Sequence, residues 1–147
     1  MAEPPTLVAL LERSSHVIGL YLERTLAPLG ITQAEAHVLG RLGRGGDASP
    51  NELHHLFGHK RSTLTGILDR LESRGYVTRA INPNDRRSFI VTLTEEGKAA
   101  ATRVVSAVEG LERRVAAQAS ERDLTAFLKV LETLVVEADE TPPQPGA

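Results

Sequence analysis

The sequence predicts a mainly α-helical chain that carries one small two-stranded β-ribbon, and three observations predict it. Apolar residues recur at three-and-four spacing over most of the 147 residues. A single stretch, Tyr76 to Leu93, changes to the two-residue period of strands. Serine, threonine, proline and glycine fall where helices should begin and end.

In chain order, residues 1–5 are rich in proline and are expected to be a disordered tail. A long helix runs from Thr6 to Leu26, and its Leu7, Leu10, Leu11, Val17, Ile18, Leu20, Tyr21 and Leu22 cover more than one face. That is more apolar surface than one small domain buries against itself, so the helix should meet a second chain. Ala27-Pro28-Leu29-Gly30 breaks it, and Thr32 with Glu35 forms a capping box for a second helix to about Gly43. Gly43 to Asp47 reads as a loop. Ser49, Pro50 and Glu52 then start a short helix to Phe57, and Gly58 turns the chain into the next one.

That next helix, about Lys60 to Arg74, places Leu64, Ile67, Leu68 and Leu71 on one side, which must pack inward. Its other side carries Ser62, Thr65, Gly66, Asp69, Arg70 and Ser73, with Lys60 and Arg61 at the start and Arg74 at the end. Small polar groups let a helix backbone come close to a partner such as a groove of duplex DNA. Gly75 stops the helix. Tyr76–Ile81 and Ser88–Leu93 read as strands joined by the turn Asn82-Pro83-Asn84-Asp85, so Arg86 and Arg87 sit at the ribbon's tip within reach of phosphates or a minor groove. A helix-turn-helix beside a basic-tipped ribbon is a winged helix-turn-helix in outline.

Beyond the ribbon, Thr94-Glu95-Glu96 starts a long helix with Ala101, Val104, Val108, Leu111 and Val115 in a near four-three repeat. Ser120 to Asp123 caps a last helix with a stripe of Leu124, Phe127, Leu128, Leu131, Leu134 and Val135. The resulting organisation is one domain over 6–138, with 6–28 and 95–138 as dimerisation helices around the winged helix-turn-helix at 32–94, and a disordered tail at 139–147.

Charge supports the central segment as the working surface. The chain has a net charge of −2, but residues 60–90 hold seven basic and three acidic side chains, a local excess of +4. With no cysteine, disulfides and thiol chemistry are excluded. No apolar run is long enough to span a bilayer and the start lacks the order of a signal peptide, so a cytoplasmic protein without membrane contact is expected. No glycine-rich phosphate loop or nucleophile setting supports an enzyme, and no cofactor is expected. Low aromatic content argues against stacking on single strands.

The run LTGILDRLESRGYVTRAINPNDRRSFIVTLTEEG, above all Leu68-Asp69-Arg70-Leu71, Asp85-Arg86-Arg87 and Leu93-Thr94-Glu95-Glu96-Gly97, resembles the wing region of the multiple-antibiotic-resistance regulators (MarR family). The resemblance extends over roughly residues 6–137. It implies a two-fold homodimer whose terminal helices interlock, with the 60–74 helix in the major groove of a pseudo-palindromic operator and the wing at the minor groove. It further implies a transcriptional repressor that a small aromatic or anionic ligand relieves. The DNA-contacting set is then Lys60, Arg61, Ser62, Thr65, Gly66, Arg70, Arg74, Arg86 and Arg87. Asp69 and Asp85 orient the wing, Asp69 by pairing with Arg87. The helices bearing His16, Tyr21, His37 and Arg41 border the family's effector pocket, which makes these four the ligand-binding candidates. His54, His55 and His59 invite a metal reading, but Gly58 interrupts the helix and no carboxylate completes a set, so no metal is expected. The competing reading is a winged-helix dimer used as a protein adaptor.

Overall fold

The computed structural model describes residues 6–58 and 60–140. Six helices and one hairpin follow in order: α1 (Leu7–Thr25), a 3-10 turn (Ala27–Leu29), α2 (Gln33–Gly45), α3 (Pro50–Phe57), α4 (Arg61–Ser73), β1 (Val77–Asn82), β2 (Asp85–Leu93), α5 (Glu95–Ala116) and α6 (Glu121–Glu140). The described chain divides into two compact units, one reaching Val108 and the other beginning at Glu109, so the boundary falls inside α5. No helix among the described residues is long and apolar enough to cross a membrane.

The helix starts follow from side chains that replace missing backbone partners. Thr32 and Glu35 close a reciprocal capping box on α2, and Ser49 and Glu52 do the same on α3. Ser120 and Asp123 cap α6 in like manner, with the Ser120 hydroxyl 2.6 Å from the aspartate. Thr94 caps α5 by accepting from the Gly97 amide at 2.9 Å, while its own hydroxyl donates to the Gly75 carbonyl at 2.6 Å. α4 is the exception, because Lys60 at its N-cap supplies no side-chain acceptor.

In the first unit, Val38 and Leu39 of α2, Leu53 of α3, Ile67 and Leu71 of α4, Val77 of β1 and Val91 of β2 are buried in a single core. Each such side chain removed from water contributes about 1.5–3 kcal/mol. α3 ends at Gly58 in the left-handed conformation (φ 62°), whose amide returns to the His54 carbonyl, and this turn separates α3 from α4. The hairpin pairs Val77 with Leu93, Arg79 with Val91 and Ile81 with Phe89. Ala48, on the α2–α3 connection, adds a short bridge to the far side of β2 at Val91.

Several boundaries differ from the sequence expectation, β1 by one residue at each end and three others for a visible reason. α2 continues through Gly43 to Gly45, because Gly43 serves packing: a Cβ there would lie 2.9 Å from that of Ala101 on α5. β2 begins at Asp85 instead of Ser88, since Asn82 pairs with Asp85 across a tight turn. Asp139 and Glu140, expected in the tail, are the last residues of α6. The tail expectations for residues 1–5 and 141–147 fall outside the described residues.

Candidate nucleic-acid interface

α4 presents the two faces its spacing dictates. Leu64, Ile67, Leu68 and Leu71 are buried; Ser62, Thr65, Asp69, Arg70 and Ser73 are exposed, with Gly66 half-buried between them. Thr65 donates its hydroxyl proton to the Arg61 carbonyl at 3.0 Å, so it offers outward only lone pairs and a methyl group. Lys60 and Arg61 stand exposed at the uncapped helix start, where unsatisfied amides and the helix dipole also favour an anion.

The basic residues expected on this face divide into two groups. Arg70 donates from Nε to Glu35 of α2 at 2.7 Å. Glu35 is fully buried, and its second oxygen accepts from the Thr32 amide at 3.1 Å, which makes the carboxylate both helix cap and arginine partner. Arg74 reaches the carbonyls of Leu29 and Gly30 ahead of α2. Arg70 and Arg74 therefore also brace α4 against the start of α2, while both stay exposed on the outer side of the helix, Arg70 with 53% of its side chain accessible. Lys60, Arg61, Arg86 and Arg87 pair with no carboxylate among the described residues.

Asp69 pairs with Arg79 of β1 at 2.6 Å, correcting the expected partner Arg87. Glu72, one helical turn on, accepts from Arg79 Nε at 3.0 Å. Hydrogen bonding from Arg79 holds the Glu72 carboxyl below its ordinary value of 4.5, and Glu72 first and Asp69 second raise Arg79 above its own. The carboxylates that seemed misplaced on a DNA-facing helix thus share one guanidinium, which offsets half of their charge, and they tie the helix to the first wing strand.

At the wing tip, Asp85 accepts from the Arg87 amide at 3.0 Å and Asn82 from the Asn84 amide at 3.0 Å. Because Asn82 opposes Asp85 while Ile81 opposes Phe89, Arg86, Arg87 and Ser88 bulge out of the backbone ladder, with Ser88 held by the Asn82 side chain at 3.2 Å. Both guanidiniums are carried by this bulge and are exposed. Between α3, α4 and the wing lies a groove of about 350 Å³ bordered by His54, Arg61, Thr65, Arg79, Arg87 and Phe89. Sequence reasoning found Glu35 as a helix cap but missed its pairing with Arg70, and it missed Glu72 and Arg79. The pairing of acids at positions 69 and 72 on one helical face is the signal that calls for a cation nearby.

The ligand candidates also separate. A cavity of about 420 Å³ in the first unit is lined by apolar side chains of α1, α3 and α5, with His37, Arg41 and Arg44 of α2 supplying the polar part. His37 stacks on Phe57 with centroids 6.0 Å apart. His16 is exposed on α1 and does not line this cavity, and Tyr21 donates to the Ala107 carbonyl at 3.1 Å. His55 is exposed, and His59 lies outside the described residues.

Comparison with known proteins agrees with this geometry. The family model described as MarR family matches residues 29–88. The HTH-type transcriptional regulator PecS of Dickeya dadantii (strain 3937) is 33% identical over 132 residues, 88% of this chain and 80% of that protein. A crystal structure of a mutant MarR from E. coli complexed with operator DNA superposes with a TM-score of 0.73 at 29% identity, covering 87% of this chain and 92% of that one. S. aureus MepR in its DNA-binding conformation shares the fold with a TM-score of 0.84 at 20% identity, over 91% of this chain and 99% of that one. By its matched segment, its relatives and its winged fold, the chain belongs to the MarR family of transcriptional regulators.

Proposed function

We propose that the protein is a sequence-specific duplex-DNA-binding repressor that works as a homodimer and is relieved by a small aromatic or anionic ligand. The observation that carries the DNA reading is the distribution of basic side chains. Lys60, Arg61, Arg86 and Arg87 are exposed at the two ends of one surface, while the two acids on the outer side of α4, Asp69 and Glu72, are paired to Arg79 and Asp85 is turned to the Arg87 amide. α4 enters the major groove, with Ser62, Thr65 and Gly66 against base edges and Lys60 and Arg61 on the backbone. The wing bulge delivers Arg86 and Arg87 to the neighbouring minor groove, and Asp85 fixes the bulge. Arg70 and Arg74, exposed on the same side, add to the positive field and fix the pose of α4 through Glu35 and the Leu29 and Gly30 carbonyls.

Relief by a ligand draws on the cavity. An apolar wall faced by His37, Arg41 and Arg44 suits a flat molecule with one anionic group. Being located in the cytoplasm follows from this work on DNA.

The test is a titration of the full chain against the duplex upstream of its own coding region and against a scrambled duplex, at several salt concentrations. Preference for the native duplex that persists as salt rises is the expected result. Negligible binding to both at low salt would replace this reading with the protein-adaptor one.

A further inference from the structure

We infer that Arg41 is a positioning residue that reports occupancy of the cavity to the wing, by exchanging a backbone carbonyl for the anionic group of a ligand; this deepens the ligand-relief reading and rests on it. Arg41 lines the cavity, yet its Nη1 donates to the Gly46 carbonyl at 3.3 Å, at the end of α2. The guanidinium lies directly over Gly45, where a Cβ would stand 2.2 Å from Nη1 and 2.7 Å from Cζ. Glycine at 45 is what leaves room for this pose.

From Gly46 the chain leads within two residues to Ala48, which is buried and bonded on both sides to the wing. The Ala48 amide donates to the Val91 carbonyl at 3.2 Å, and the Val91 amide to the Ala48 carbonyl at 2.9 Å. Cavity, Arg41, Gly46, Ala48 and Val91 of β2 thus form an unbroken series of contacts. A carboxylate or phenolate beside His37 and Arg44 competes for Arg41 with a neutral carbonyl held at the long end of hydrogen-bond range, and an anion adds a charge–charge attraction and a shorter contact that a carbonyl dipole does not offer the guanidinium. A ligand that gains this contact only when Arg41 lets go selects the state in which the α2–α3 connection has lost its clasp. The strand that carries Arg86 and Arg87 is then held less firmly.

Gly45→Ala in the full chain tests the relay without any ligand. Position 45 is helical, alanine favours helix over glycine, and only the far end of a flexible side chain has to move. We expect the Ala48 and Val91 amides of this variant to exchange roughly tenfold faster, as local protection is lost with one anchoring bond. DNA affinity should fall several-fold, with little further response to benzoate as the probe anion. In the wild-type protein benzoate should speed the same two amides, and in Arg41→Ala they should be fast and indifferent to it. If Gly45→Ala leaves both amides and DNA binding at wild-type values, the relay is overturned whatever benzoate does. Benzoate that binds and weakens DNA binding while those amides stay unchanged overturns it as well. If Gly45→Ala loosens the amides and benzoate does not bind the wild type, the clasp stands and the ligand reading falls.

Discussion

Arg86 and Thr65 differ in what each offers a duplex, so their loss should fail in different ways. Arg86→Ala should weaken binding to operator and scrambled duplexes alike and flatten the log–log salt slope by about one unit per dimer arm, since one phosphate-region charge releases roughly one counterion. Thr65→Ala should leave the slope unchanged and relax preference at one position per half-site, at a cost on the order of 1 kcal/mol. Because the threonine proton is held by Arg61, the lost contact should be one in which the base donates or presents a methyl group. Titrations at several salt concentrations separate the two, and wild-type binding by Arg86→Ala would remove the wing from the DNA. Gly97 sets a different constraint: a Cβ there would lie 1.8 Å from the Tyr76 carbonyl oxygen, an atom of the backbone. Gly97→Ala should therefore lower stability by about 1–3 kcal/mol in urea unfolding, the usual cost of overpacking a site that cannot give. A midpoint equal to wild type would show that α5 can shift at its start.

Among elements, the α4–wing brace is the most exposed to solution conditions. The Glu72 carboxyl is held low by Arg79, so its contribution is present above the ordinary carboxylate value of 4.5 and is lost as pH falls through the lowered one. Carboxyl chemical shifts followed from neutral to acid pH should show Glu72 titrating below 4.5, and Arg79→Met should return it to or above that value. The same variant should weaken DNA binding at neutral pH, since Asp69 and Glu72 then face phosphates unpaired, and adding Asp69→Asn should recover part of the loss. Wild-type affinity in Arg79→Met would mean the brace does not matter to docking. The elements themselves were largely legible, because local chemistry specifies them: the boxes Thr32 with Glu35 and Ser49 with Glu52, the stop at Gly58, and the alternation through Phe89, Val91 and Leu93. Partners distant in sequence were not legible. Nothing local tells Arg70 to turn to Glu35, 35 residues away, or Arg74 to turn to Gly30, 44 residues away, so both read as free cations on a basic face. Gly43 misled for a related reason, since a glycine that permits close helix approach looks the same in sequence as one that breaks a helix.

At the level of the whole molecule, each unit leaves apolar surface uncovered. α1 exposes Leu7, Val8, Leu10, Val17 and Leu20, and α6 exposes Phe127, Leu128 and Val135, the last at 68%. Stripes of this length on both terminal helices are expected to be covered by a second copy of the chain. Sedimentation at micromolar concentration should give a species of two 15.9 kDa chains, and replacing Leu128 and Val135 by glutamate should shift it toward one chain with lower DNA affinity. A well-folded monomer from the unaltered protein would contradict this assembly. The bulge at Arg86 to Ser88 has a consequence for solubility too. Ile81 is 65% and Phe89 49% exposed on a two-stranded ribbon with an open edge, the kind of surface onto which another chain can add a strand. Three residues outside the register, carrying two positive charges, interrupt the strand beside that bare pair. Trimming them to make a regular hairpin would leave a flatter, stickier ribbon, and such a protein should begin to aggregate as it is concentrated.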